Sequence, residues 1–327
     1  MIALKRVGIP VERYFASEID KYAIQVSKAN WPNIIHIGDV TKVHYFEGVL
    51  YTEFGQYEVS FAKGLICGGS PCQGFSFAGK QLNFEDPRSK LFFEFVRIYE
   101  EIKVEHPDVK VFLENVVMKK EYQAVISKAL GIEPIFINSA ILSAQTRKRL
   151  YWTNIALADL PNDKGLLLKD ILITEGIGII KNREEYFERS EKAMCLDANY
   201  YKGVDNHGQR TMVFLTAAEV ERAKIKYAGK VWKSGNRMGI MKFPDAINKK
   251  AKSLCSTVIK GARETIHIQD GDSIRMLYTV EAEKLQGVCE GYTSSVNDTQ
   301  AYKMLGNGWN VDTIVHLFEP LLWEDIL

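Results

Sequence analysis

The run Gly68-Gly69-Ser70-Pro71-Cys72-Gln73-Gly74-Phe75-Ser76 follows the apolar stretch Leu65 to Gly68 and has the composition of a sharp turn after a buried strand. A cysteine carried on such a turn can expose its sulfur. Nearby backbone N–H groups or cations then favour the thiolate over a free thiol of pKa about 8.5. Cys72 therefore reads as a nucleophile, whereas Cys67, inside the apolar stretch, reads as a small buried hydrophobe. Glu18, Asp39 and Glu114 also stand directly after short apolar runs, and their carboxyl groups can accept from hydroxyl and amino groups or take part in proton transfer. Arg147 and Arg149, in Gln145-Thr146-Arg147-Lys148-Arg149, bring donors suited to a carbonyl or a phosphate. Taken singly, Glu18 or Glu114 serves as readily to start a helix, and Arg-Lys-Arg as a solvated charge run.

Elements that present such residues together are legible around them. Short apolar runs at Tyr14 to Ser17, Ile34 to Ile37, Leu65 to Gly68, Val111 to Leu113, Ile135 to Ile137 and Leu150 to Trp152 predict strands. Helix-spaced apolar residues at Lys21 to Trp31 and Ser89 to Lys103 alternate with them, the pattern of a parallel α/β sheet. Ligands of open α/β sheets bind outside the carboxyl ends of the strands. Glu18, Asp39, the Ser70-Pro71-Cys72 turn and Glu114 all fall on that rim. From residue 156 to 270 the alternation fades into polar, glycine-dotted sequence, predicting a smaller inserted domain between parts 1–155 and 271–327 of the first. Apolar patterning returns at Tyr278 to Leu285 and Tyr302 to Leu322, read as helices packing back on the first domain.

Composition excludes several classes. With 327 residues and 46% hydrophobic content the chain can bury a full core, yet no apolar stretch approaches the roughly 18 to 20 residues of a membrane span. No leader pattern opens the sequence, so a cytoplasmic location is expected. The five cysteines are scattered with no C-x-x-C pair, and the six histidines form no ligand motif, so neither a disulfide framework nor a metal is expected. The net charge of +1 conceals an asymmetry: between Arg222 and Arg263 lie twelve of the 42 basic residues and one of the 41 acidic ones. A basic segment on an otherwise acidic protein is the footprint of a nucleic-acid partner.

In its motifs the sequence resembles the DNA (cytosine-5-)-methyltransferase family, whose catalytic motif reads Pro-Cys in this glycine-bounded context. Ser17-Glu18-Ile19-Asp20 resembles the second motif, Gly38-Asp39-Val40 the third, Glu114-Asn115-Val116 the sixth, Gln145 to Arg149 the eighth and Leu285-Gln286-Gly287 the ninth. Gly306-Asn307-Gly308 resembles the tenth, and the surrounding tail is similar to the branch of phage enzymes and the animal de novo methyltransferases. The Cys-Phe-Thr of the branch that methylates transfer RNA is absent from the recognition segment, which favours DNA. The resemblance implies a Rossmann-like α/β methyltransferase sheet with an inserted target-recognition domain. It also implies S-adenosyl-L-methionine as cofactor, held by Glu18, Ile19, Asp39, Val40, Pro71, Leu91 and Asn307. Cys72 would add to carbon 6 of a flipped cytosine in double-stranded DNA, activating carbon 5 for methylation, with Glu114, Arg147 and Arg149 relieving the charge on the ring. Gln73 and Ser76 near the flipped base, and Arg237, Ser256, Thr257 and Lys260 in the basic segment, would contact DNA. A monomer is expected, and the sequence leaves open whether a cognate restriction endonuclease accompanies it or the enzyme acts as an orphan or in a phage.

The family's first motif, a strand ending in Phe-x-Gly-x-Gly, has no counterpart. Met1 to Arg6 resembles the helix that follows it, so roughly 15 to 20 upstream residues are expected. Without them the strands ending at Ser17 and near Gly68 should stay apart, and a non-catalytic DNA-binding relative is the competing function. The charge asymmetry gives a direct expectation: DNA binding weakens with salt at a slope near 0.9 per phosphate neutralised. Neutralising the lysines and arginines of 222–263 should flatten that slope, and a filter-binding titration in which it is unchanged would remove this segment from the interface.

Overall fold

In the computed structural model, residues 1–59, 61, 63–69, 87–156, 159–173, 178–181, 187–189, 191–202, 210–214, 266–267, 273–275 and 277–323 are described. They form two compact units, one of Met1–Ser139, Lys148–Leu160 and Thr313–Leu327, the other of Ala140–Arg147 and Pro161–Asp312.

The first unit opens with α1 (Ile2–Val7), β1 (Phe15–Ala16), α2 (Lys21–Asn30) and β2 (Ile35–His36). A meander of β3 (His44–Phe46), β4 (Val49–Thr52) and β5 (Gly55–Glu58) follows, then β6 (Leu65–Gly68) and α3 (Pro87–Glu105). Beyond these come β7 (Lys110–Val116), α4 (Lys120–Leu130) and β8 (Ile135–Asn138). After β9 (Gln145–Thr146), which belongs to the second unit, β10 (Lys148–Thr153) returns to the first. Each strand expected from an apolar run is present.

The sheets differ from the expectation in direction. β1 pairs with β2 and β6 with β7 in parallel, but β10 runs antiparallel to both β7 and β8, in the order β6-β7-β10-β8. The link from β8 to β10, residues 139–147, is shorter than the dozen or so residues that a parallel crossover needs. An apolar run alone carries no direction, so the wholly parallel reading is corrected here. β1 and β6 lie in separate sheets, as expected of two strands that do not pair directly.

β7 is the buried axis of the larger sheet, with Val111, Phe112 and Leu113 wholly out of water. Phe92 and Tyr99 of α3, Ile126 of α4 and Trp152 of β10 pack on it. Trp152 satisfies its ring N–H by donating to Ser127 Oγ at 3.1 Å. Cys67 on β6 leaves part of its surface open, yet the packing around its sulfur pushes the thiol pKa up to about 12, so the thiol itself is shielded as its apolar neighbours suggested. Among the described residues β6 pairs with β7 alone.

The meander was not anticipated. Its small core of Val43, Tyr45 and Leu50 packs with Ile37, Ile98 and Ile102, and two carboxylates of α3 hold it in place. Glu101 accepts from the N–H of Tyr45 at 2.8 Å, while Glu105 accepts from those of Glu47 and Gly48 at 2.7 and 2.9 Å. Arg97 ties the same face together, donating to Glu101 at 2.7 Å and to the Val43 carbonyl at 2.8 Å.

The second unit contains β9 paired in parallel with β13 (Ala193–Met194), besides a five-stranded antiparallel sheet. That sheet is built from β11 (Gly178–Lys181), β12 (Phe187–Arg189), β14 (Thr211–Phe214), β15 (Ile266–His267) and β16 (Ser273–Arg275), in the order β12-β11-β14-β16-β15. Helices α5 (Thr279–Leu285) and α6 (Asp298–Asn307) complete it, and their Leu285 and Leu305 join Leu168, Leu196, Tyr200 and Val213 in one core. Two further helices, α7 (Val311–Phe318) and α8 (Pro320–Trp323), follow.

The β3–β4 turn places Glu47 at φ 48° and Gly48 at φ 73°. Both central residues are thus left-handed, as tight hairpin turns require, and a side chain other than Asn or Gly pays there about 1 kcal/mol. Glu47→Asn should therefore raise stability by about 0.5–1 kcal/mol. In urea titrations the midpoint should move up with an unchanged slope. A midpoint that stays put would mean that the turn stores no strain.

Candidate active site

In the first unit the carboxyl ends of β1 and β2 bring two acids to one rim. Glu18 Oε1 accepts from the N–H groups of Ile19 and Asp20, both at 2.8 Å, so this oxygen is committed to the loop. Ile19 is 74% exposed, an unusual setting for an aliphatic side chain beside a helix start. Asp39 accepts from the N–H and the hydroxyl of Thr41, both at 2.9 Å. Those two bonds hold its carboxyl below the ordinary range and keep it an acceptor at neutral pH. Ser17 Oγ donates to the Gly38 carbonyl at 2.7 Å and so joins the two loops. Val40, starting a short 3-10 turn, and Leu91 in α3 are both half-buried. Carboxylates that accept from hydroxyl and amino groups, with aliphatic side chains for a ring, form an acceptor set that suits a nucleoside.

β7 and β10 supply a second pair. In their antiparallel register Glu114 lies opposite Tyr151 and Arg149 opposite Val116. Glu114 and Arg149 are thus diagonal neighbours on one face. Their side chains are 10% and 13% exposed, with Arg149 Nε 2.9 Å from Glu114 Oε1. That oxygen is out of water and receives no aligned hydrogen bond, although the guanidinium beside it balances its charge. A buried carboxylate oxygen with unused acceptor capacity is costly unless a ligand or proton completes it.

Arg147 and Asn307 belong to the second unit, and there they are neighbours. Arg147 is 2% exposed. Its Nη2 donates to the carbonyls of Gly308 at 2.6 Å and Gly306 at 3.4 Å, and its Nη1 to that of Leu196 at 3.2 Å. The guanidinium thereby grips both sides of Asn307, whose own side chain is exposed. Gln145, in the same motif, donates to the Leu285 carbonyl at 2.7 Å and accepts from the Leu196 N–H at 3.3 Å. Asn310 donates to the same Leu285 carbonyl at 2.9 Å. Motif residues that read as chemistry in the sequence therefore include a buried polar frame. Gln286, marked by the ninth motif, accepts from Gln145 at 3.2 Å, whereas Asn310 carries no local signal that separates it from a surface amide.

Pro71, Cys72, Gln73, Ser76, Arg237, Ser256, Thr257 and Lys260 lie outside the described residues. The sequence reading missed Thr41, whose place two residues after Asp39 is the recognisable signature of an Asx turn. It also missed Glu53, which accepts from the Asp39 N–H at 3.0 Å from a distant turn. Among the described residues no group of His, Cys, Asp or Glu could hold a metal ion, and no helix is long and apolar enough to cross a membrane.

An α/β sheet with carboxylates after successive strands is the architecture of the S-adenosylmethionine-dependent methyltransferases. The solved structure of a Spodoptera frugiperda DNMT2 variant has this fold: it matches with a TM-score of 0.56 and 17% identity over 98% of this chain and 95% of that one. The chain belongs to the C-5 cytosine-specific DNA methylase family, whose pattern matches residues 1–323, and it is by that membership a DNA (cytosine-5-)-methyltransferase. Among curated relatives, the type II methyltransferase M1.ScrFI of Lactococcus lactis subsp. cremoris is 28% identical over 325 residues, covering 95% of this chain and 72% of that protein. The type II methyltransferase M.NlaX of Neisseria lactamica is 24% identical over 317 residues, covering 94% and 87%.

Gly306 tests the frame around Asn307. A Cβ there would overlap the backbone of Asp197 and Ala198, which cannot yield as the tip of a side chain can. Gly306→Ala should destabilise the protein by about 3 kcal/mol or more. At Gly308 the nearest atom to a Cβ is the Met304 carbonyl oxygen at 3.1 Å, so Gly308→Ala should cost well under half as much. Equal losses of urea midpoint in the two variants would contradict this packing.

Proposed function

We propose that this methyltransferase acts on cytosine in double-stranded DNA flipped out of the helix, with Cys72 as the covalent nucleophile. The observation that carries the reading is the Glu114–Arg149 pair: a buried carboxylate oxygen without an aligned donor, fixed beside a guanidinium by strand register. A cytosine ring offers the complement. Its nitrogen 3 and exocyclic amino group can meet the Glu114 carboxyl, and its carbonyl oxygen the Arg149 guanidinium. The Gly-Gly-Ser-Pro-Cys turn supports the nucleophile assignment by composition.

Bound S-adenosylmethionine supplies an electrophilic methyl group, and Glu18, Ile19, Asp39 and Val40 are the residues suited to its nucleoside. The chain's own work is to make carbon 5 of cytosine nucleophilic. The Cys72 thiolate adds to carbon 6, and electrons move through the ring towards nitrogen 3, where a proton or hydrogen bond from Glu114 relieves the charge. Arg149 steadies the carbonyl and keeps Glu114 in place. After methylation, water takes the carbon 5 proton, and the electrons of that C–H bond restore the aromatic ring as the Cys72 sulfur leaves as thiolate. The base is out of reach inside a stacked duplex, so flipping precedes these steps.

Cys72→Ser should abolish methyl transfer while DNA affinity stays within about twofold, because phosphate contacts dominate affinity. The wild-type thiol should also trap DNA containing 5-fluorocytosine as a denaturation-resistant adduct, since fluorine cannot leave as a proton does. Appreciable turnover by the serine variant, or an adduct that persists in it, would end the nucleophile assignment.

A further inference from the structure

The turn joining β4 to β5 takes no part in the functions assigned so far, yet it reaches the rim where Asp39 stands. Gly38 has φ +77°, and a Cβ there would overlap the Glu53 carboxylate and come within 2.9 Å of Phe54 Cε2. Only glycine permits so close an approach. Glu53 Oε1 accepts from the Asp39 N–H at 3.0 Å, and its Oε2 from Lys42 Nζ at 2.6 Å. Thr52 fixes the turn, its Oγ1 accepting from the Phe54 N–H at 3.2 Å and donating to the Gly55 carbonyl at 2.8 Å. Phe54 is nevertheless 65% exposed, while the meander draws its core from Val43, Tyr45 and Leu50. Ile19, 74% exposed, rises from the loop that Ser17 ties to the Gly38 carbonyl. Two exposed apolar side chains thus attend one loop of acceptors, one of them a flat ring that folding does not require.

We propose that Phe54 lies against the adenine ring of the cofactor and that Glu53 positions Asp39 to accept from the adenine amino group. The inference rests on reading the Glu18 and Asp39 loops as the nucleoside site. Phe54 is the contact residue, since base–aromatic stacking is worth a substantial part of a nucleoside's affinity. Glu53 acts through Asp39 and is a positioning residue.

Calorimetric titration of the full chain with S-adenosylhomocysteine and with adenosine tests both roles. Phe54→Ala should weaken both ligands by about tenfold, with no loss of urea midpoint. Glu53→Ala should also weaken both. Glu53→Gln should restore most of the binding, because its amide oxygen still accepts from the Asp39 N–H. If Phe54→Ala binds both ligands as wild type does while Asp39→Ala loses them, the stacking role is overturned and the nucleoside site stands. If Asp39→Ala also binds normally, the reading of the site falls and this proposal with it. Should Glu53→Ala lose stability but no affinity, its positioning role is refuted.

Discussion

The register of β10 against β7 decides which side chains meet at the face where cytosine is proposed to bind. β7 is paired on both sides, in parallel with β6 and antiparallel with β10, and its middle is wholly buried. Because side chains alternate along a strand, a slip of one residue would turn Arg149 to the opposite face and leave Glu114 buried without a counter-charge. Trp152 guards against it: in the present register it fills the core and reaches Ser127. One pairing thus serves the sheet, the core and the ion pair at once.

Much of this was written in the chain, though unevenly. The runs at Leu65, Val111 and Leu150 gave strands because fully buried strands read as continuous apolar stretches. The direction of the last was illegible, since nothing in Leu150-Tyr151-Trp152 distinguishes a strand arriving by a crossover from one arriving by a short return. The meander escaped because its strands are three or four residues long and its first turn is Glu47-Gly48 in place of Asn-Gly. Its anchors, Glu101 and Glu105, look in sequence like the solvated face of a helix.

The eighth motif shows most plainly where residue types run out of information. Arg147 and Arg149 are two positions apart and chemically identical. One grips main-chain carbonyls around Asn307, and the other faces a carboxylate. What separates them is the environment that each strand end meets. A guanidinium with five fixed donors can satisfy several carbonyls at once, so replacing Arg147 by lysine would not be a mild change. Gln145, with donors and an acceptor on one amide, extends the same frame and binds together parts of the chain that have no local reason to meet.

That frame is closed by residues far apart in the chain. Gln145 meets Leu285 across 140 residues, and in the first unit Thr313 donates to Ser139 across 174. Phe318 likewise sets its ring edge-on against Phe112 at 5.0 Å between centroids. Contacts of such span reward the chain only after a large loss of loop entropy. On a ribosome, the first unit cannot complete its packing until residues 313–318 have been made. At about 5–20 residues per second the growing chain carries its apolar strands uncovered for many seconds. Its apolar surfaces are therefore most open to aggregation while those residues are still being made, and closure of the first unit is a late event.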